Sequence, residues 1–205
     1  MFVDQQTNRK LISLSDLAIE GEYNFEALYD APETQPPQDH VISHPDVPDA
    51  PLHFAYDFGA QAVILSVNEE SGVIQVHKVI AAHDSGTPII LKNVIGQLEG
   101  AVIQGLGYAL SESYQIKDGI PQTTTLRDLG LLRFRDLPEI IAIPITDPHP
   151  KGPFGAKGMG ELALAPTAPA VVNAIHNATG IWINEIPATK DRILQAINKL
   201  SLIHI

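Results

Sequence analysis

The segment from Pro148 to Pro169 carries four glycines (Gly152, Gly155, Gly158, Gly160) and five prolines (Pro148, Pro150, Pro153, Pro166, Pro169). Glycine lets a backbone adopt positive φ or come close to a bound group, while proline restricts the same stretch. Between Gly152 and Pro169 the only charged side chains are Lys157 and Glu161. Glu161 directly precedes an apolar, alanine-rich run of helical character. A lone carboxylate in that place is expected to face a cavity, where desolvation raises its basicity and suits it to general-base work. The competing reading is a surface loop whose acid complements the N-terminus of the next helix. Composition leaves both open. Lys157 has two roles open to it: anchoring the glycine loop, or pairing with Glu161 and lowering its basicity.

A second group of candidates lies in a helical pattern over 93–114, which contains Gly96, Gly100, Gly105 and Gly107. An interior glycine costs a helix roughly 1 kcal/mol relative to alanine, so something large is expected to pack on that face. It is either a neighbouring helix or a flat ligand. Gln97 and Gln104, seven residues apart in the sequence, project from one side, where amides can donate to and accept from a heteroatom-rich ring.

Other chemistries are poorly supported. The eight histidines include one pair at helical ligand spacing, His40 and His44, but it sits in a proline-rich stretch, so no protein metal site is expected. The chain has no cysteine, which excludes a thiolate-held iron–sulfur cluster and any disulfide framework. A formal charge of −11 argues against nucleic acid or an anionic membrane as partner. No run approaches the ~20 apolar residues of a membrane span. The opening Met-Phe-Val-Asp-Gln-Gln has no signal-peptide pattern, so a cytoplasmic location is expected.

The elements that must position these residues follow from pattern. Of the 205 residues, 44% are apolar, enough for a core. One domain is expected over 1–205, with an N-terminal segment and linker over 1–52 and an α+β core over 53–205. Ser13 or Ser15 caps a short helix that ends near Gly21, and 31–52 holds six prolines and no periodicity. Strands are expected at 53–67 and 72–82, joined by a turn over 69–72 with Gly72 in the left-handed region. The helix over 93–114 should pack on this sheet. A strand over 141–146 leads into the glycine loop. A helix over 167–178 stops at Gly180, a short strand covers 182–186, and a last helix over 190–200 is capped by Thr189.

With these motifs in order, the chain resembles the C-terminal part of the molybdopterin-binding subunit of the xanthine dehydrogenase/aldehyde oxidase family, the molybdenum hydroxylases. The matching text is Gly96-Gln97-Leu98-Glu99-Gly100, Leu137-Pro138-Glu139-Ile140, Gly155-Ala156-Lys157-Gly158-Met159-Gly160-Glu161 and Pro166-Thr167-Ala168-Pro169. Gly59-Ala60-Gln61 and His83-Asp84-Ser85-Gly86 also fit, and the resemblance runs across about 11–198. It implies a mixed sheet with packed helices and a molybdenum–molybdopterin cofactor shared with an earlier part of the subunit. Glu161 would be the general base in hydroxylation of a purine, another heterocycle or an aldehyde with water. Gln97 would hydrogen-bond the pterin, and Gly96, Gly100, Ala156, Lys157, Gly158 and Gly160 would line it. The molybdenum would be held by the pterin dithiolene, with no protein ligand. Partner domains or subunits would carry 2Fe-2S clusters and FAD, in accord with the missing cysteines.

The text departs from the family in places. Leu162-Ala163 stands where Pro-Pro is usual, and Thr87-Pro88-Ile89-Ile90 where a basic residue and Asn-Pro are common. The earlier half of the cofactor site is not in this sequence. Isolated, the chain is therefore expected to bind no cofactor, to be inactive and to self-associate through the apolar surface so exposed. The alternative to an enzyme portion is a truncated, non-catalytic relative that serves as an assembly or binding module. An unrelated α+β domain with an anion-binding glycine loop is the third reading.

Overall fold

The computed structural model describes Phe2–Val3, Lys10–Ile12, Asp16, Glu26, Leu28 and residues 55–203. Two compact units divide the chain, 1–32 and 33–205. In the first, β1 (Phe2–Val3) pairs antiparallel with β2 (Lys10–Ile12), a pairing the periodicity did not indicate. Of the helix expected there only Asp16 is described, and it is helical. The proline-rich 31–52 lies outside the described residues.

The second unit is built on a mixed sheet. β3 (Gly59–Asn68) pairs antiparallel with β4 (Val73–Asp84), and β4 pairs in parallel with β7 (Glu139–Ile145). Along β3 the half-buried Gln61, Val63, Leu65 and Val67 alternate with exposed neighbours, the period expected of a strand covered on one face. Asn68 closes the hairpin: its Oδ1 accepts from the amides of Glu70 (3.1 Å) and Ser71 (2.8 Å), and its carbonyl accepts from Gly72 (2.8 Å). Gly72 takes φ +69°. β3 begins at Gly59 rather than 53, because the backbone just ahead serves another purpose. The Tyr56 carbonyl accepts from Lys157 Nζ at 3.3 Å.

Helix α1 (Leu91–Leu110) crosses from β4 toward β7. Leu98, Ala101, Val102, Leu106 and Ala109 are buried at helical spacing, and full burial of each leucine contributes about 1.5–3 kcal/mol. The helix stops at Leu110 rather than continuing to 114. The amides of Ser111 and Glu112 both donate to the Gly107 carbonyl, at 2.9 and 2.8 Å, and the Glu112 side chain fills the space a Cβ on Gly107 would need. A two-residue ladder, β5 (Ile116–Lys117) with β6 (Ile120–Pro121), and the short helix α2 (Leu126–Leu129) follow.

After the glycine loop, α3 (Thr167–Thr179) buries Thr167, Val171 and Ile175 and ends on Gly180 at φ +75°. The strand expected at 182–186 does not form. Ile181 and Ile183 are buried, but Ile181 has satisfied its backbone locally, its N–H on Thr179 Oγ1 (3.3 Å) and its carbonyl on His176 Nδ1 (3.2 Å). Thr189 caps α4 (Lys190–Ile203) through the Arg192 amide, 3.4 Å from its Oγ1. The main core joins Val76, Val79, Val102, Leu106, Val171, Ile175 and Ile193. A smaller cluster of Leu98, Ala101 and Ala163, with Met159 and Leu164 against it, hangs the glycine loop on α1.

Candidate cofactor-binding and catalytic site

The glycine loop is fixed first by a buried ion pair. Asp84, at the end of β4, pairs with Lys157 Nζ, and both side chains are only 5% exposed. Lys157 also reaches Asp147 Oδ2 at 3.4 Å. The hydrogen bond to Asp84 holds its ammonium above the ordinary lysine range, against the opposing effect of burial. Lys157 therefore anchors the loop and does not pair with Glu161. Asp84 has a second task, accepting the Gly86 amide on Oδ1 at 2.8 Å. Thr87 and His149 amides meet the Gly155 carbonyl at 2.8 and 3.0 Å, and the Lys157 amide meets Ser85 O at 3.3 Å. Gly86 and Gly155, at φ +60° and +79°, let these backbones touch. Gly86 and Ala156 form an isolated bridge, so Ala156 stitches the loop to the end of β4.

Gln97, on the exposed side of α1, donates from Nε2 to the Gly160 carbonyl at 2.7 Å. This bond joins the start of α1 to the last residue before Glu161. Around it, Gly96 and Gly100 on the helix and Gly158 and Gly160 on the loop have no atom within 4 Å of where a Cβ would stand. Bare backbone is thus presented on two elements tied together. A flat ring system fits such a surface, since any side chain there would hold it away. Gln104 lies outside this arrangement; its amide is 3.5 Å from Tyr108 Oη.

Glu161 is exposed, and its carboxylate has no partner among the described residues. The desolvation expected for it is absent, because no described element covers it. Its backbone carbonyl accepts the Leu164 amide at 3.0 Å and opens a single 3₁₀ turn over Leu162–Leu164.

Two features were not singled out from sequence. One is the buried Asp84–Lys157 pair, signalled only by a lone cation inside a glycine loop. The other is the role of Gln61, whose amide connects β3 to the turn after Glu161 and to α3. Of the histidines, His83 is buried and pushed below its ordinary pKa by desolvation; His40, His44, His53 and His204 lie outside the described residues. Among the described residues, no group of three or more His, Asp or Glu side chains is placed to hold a metal ion. No helix among them is long and apolar enough to cross a membrane.

Comparison with known proteins gives the class: residues 5–138 match the family described as molybdopterin cofactor-binding domain. The chain belongs to the xanthine dehydrogenase/aldehyde oxidoreductase family of molybdenum hydroxylases. It is 36% identical over 149 residues to the probable hypoxanthine oxidase XdhD of Escherichia coli K12, covering 72% of this chain and 16% of that protein. It is 30% identical over 199 residues to a probable xanthine dehydrogenase subunit of Bacillus subtilis, covering 97% of this chain and 25% of that one. Quinoline 2-oxidoreductase from Pseudomonas putida 86 superposes with a TM-score of 0.68 at 32% identity, over 74% of this chain and 20% of its own. The chain thus spans 16% to 25% of the length of these curated relatives.

Proposed function

We propose that this chain supplies part of a molybdopterin site and the general base of a molybdenum hydroxylase, working beside the rest of the cofactor-binding subunit. The observation that carries the reading is the Gln97–Gly160 bond with its four open glycines. It makes one backbone surface of two elements and leaves Glu161 unpaired at its rim. The cofactor, when bound, supplies the redox chemistry of hydroxylation. Gly96, Gly100, Gly158 and Gly160 admit the flat pterin, Gln97 offers its amide to it, and Ala156 and Lys157 keep the loop in place. Glu161 accepts a proton on its carboxylate as water oxygen is transferred to an electrophilic substrate carbon. Packing of the rest of the cofactor-binding subunit covers Glu161 and gives it the dry surroundings that a general base gains from.

The substrate class is an N-heterocycle or an aldehyde, because relatives are named for hypoxanthine, xanthine, quinoline and aldehydes. Partner domains or subunits would hold the 2Fe-2S and FAD groups that accept the electrons, and the assembly would work in the cytoplasm. The test is the molybdenum content of this chain produced together with the rest of the cofactor-binding subunit. Gln97→Ala should lower it, since a lost bond to a buried polar group costs about 1–3 kcal/mol. Unchanged molybdenum content in Gln97→Ala and in Gly96→Val together would contradict the reading.

A further inference from the structure

Glu161 is gripped from both sides by glutamines. Gln97 Nε2 holds the Gly160 carbonyl at 2.7 Å, and Gln61 Nε2 holds the Ala163 carbonyl at 2.7 Å. The second grip comes from a different element, β3, and reaches 102 residues along the chain. We infer that Gln61 is a positioning residue for the proposed base, fixing the turn that carries Glu161 through a relay with the buried His83 and Thr167. The inference rests on the reading of Glu161 as the base.

The relay defines the orientation of every member. Gln61 Oε1 accepts from Thr167 Oγ1 at 2.8 Å, while Nε2 donates to Ala163 O and lies 3.2 Å from His83 Nε2. The reversed amide would set oxygen against the Ala163 carbonyl, so the network fixes the assignment. Both Nε2 protons are then used, and His83 Nε2 must be an acceptor. His83 is therefore neutral with its proton on Nδ1, as its burial also favours.

Each partner is held in turn. Gly59 packs on the His83 ring and Gly105 of α1 packs on Thr167, both too close for a Cβ. Ala163 is fully buried beside Leu98 and Ala101. The Leu164 amide bonds the Glu161 carbonyl at 3.0 Å, so a shift at Ala163 passes to Glu161 within one turn. His83 Nδ1 is buried against Gly59 with no hydrogen-bond partner, and the residue borders a cleft of about 450 Å³ also lined by Asp57, Leu162 and Pro166. The titratable neighbours are Asp57, which lines the same cleft, and Asp84, next in the chain. Neither replaces Gln61 at Nε2.

The test uses the assembled molybdenum enzyme containing Gln61→Met or Gln61→Glu. Methionine keeps the volume and removes all three bonds; glutamate keeps the shape but turns a carboxylate on the Ala163 carbonyl. Displacing a catalytic group by about 1 Å costs up to roughly 100-fold in rate. We expect kcat to fall roughly 10- to 100-fold in both variants, with KM within about twofold and molybdenum content unchanged. A purely structural role would instead lower molybdenum content and activity in parallel. A second readout needs no turnover: ¹⁵N NMR of the chain should show His83 protonated on Nδ1 alone, and Gln61→Met should shift the Ala163 methyl resonance. Near wild-type kcat at full molybdenum content, an unmoved Ala163 methyl, or activity falling only with molybdenum would overturn the inference. Glu161→Gln is measured alongside. If it is fully active while Gln61→Met is impaired, the base reading fails and Gln61 still positions the turn. If it is inactive while Gln61→Met is normal, Gln61 has no positioning role.

Discussion

The two halves of α1 use the same residue for opposite ends. In the C-terminal half, Gly105 is crowded by the buried Thr167, which leaves no room for a larger residue, and Gly107 is covered by the Glu112 side chain. In the N-terminal half, Gly96 and Gly100 look onto open space. The loop repeats the division: Gly152 and Gly155 are crowded by Ala156 and Thr87, whereas Gly158 and Gly160 are open. Glycine cost in a helix is roughly 1 kcal/mol per residue in either half. Only in the crowded half does the fold itself recover that cost. The open glycines therefore point outward, to something that must approach the backbone.

The strongest way to break the comparison is to remove the anchor that holds the open loop beside the open helix. Lys157→Met leaves Asp84 buried and unpaired, and loss of one partner of such a pair costs about 3–5 kcal/mol. Denaturant unfolding should show that loss, with molybdenum retention lost alongside. The raised Lys157 pKa sets the sign with pH: the pair's contribution is full below the ordinary lysine pKa of 10.5 and is lost as pH rises through the higher folded value. Next in size, Gly105→Val should destabilise the chain by about 1–3 kcal/mol by overpacking against Thr167. Gly96→Ala sharpens the contrast by acting in the other direction. Its thermal midpoint should rise, by an amount equivalent to about 1 kcal/mol, while molybdenum content in the assembled enzyme falls. A destabilised Gly96→Ala would mean that the open half is packed after all.

The smallest effect concerns His83. Burial lowers its pKa from 6.5, so the unfolded chain takes up the proton before the folded one does. Stability is then full above 6.5 and declines as pH falls below it toward the depressed folded value. A pH series of unfolding midpoints should show this slope, and His83→Gln should flatten it.

Much of this arrangement was legible in the residues, for reasons that are local. The alternation in β3, the glycine stops at Gly72 and Gly180 and the Thr189 cap each depend on neighbours in sequence. The family resemblance implied the mixed α+β sheet and assigned Gly96, Gln97 and Gly100 of the helix and Ala156, Lys157, Gly158 and Gly160 of the loop to one cofactor site, but not the Gln97–Gly160 bond that joins them. What was hidden depends on distant partners. The end of α1 is decided by Glu112 folding over Gly107, and the start of β3 by a lysine 101 residues away. Residues 182–186 have strand-like alternation but no neighbouring ladder. Gln61 reads as one more inward residue of a strand until Ala163 and Thr167 arrive beside it.

The central claim is that Glu161, at the rim of the open glycine surface, is the base. It is tested most directly by steady-state turnover and molybdenum content of Glu161→Gln in the assembled enzyme. Glutamine preserves the shape but cannot accept the proton, and general-base contributions are typically about 10²–10⁴-fold. The account predicts a rate loss of that order at wild-type molybdenum content. Near wild-type turnover at full molybdenum content would contradict it and leave the glycine loop a structural feature.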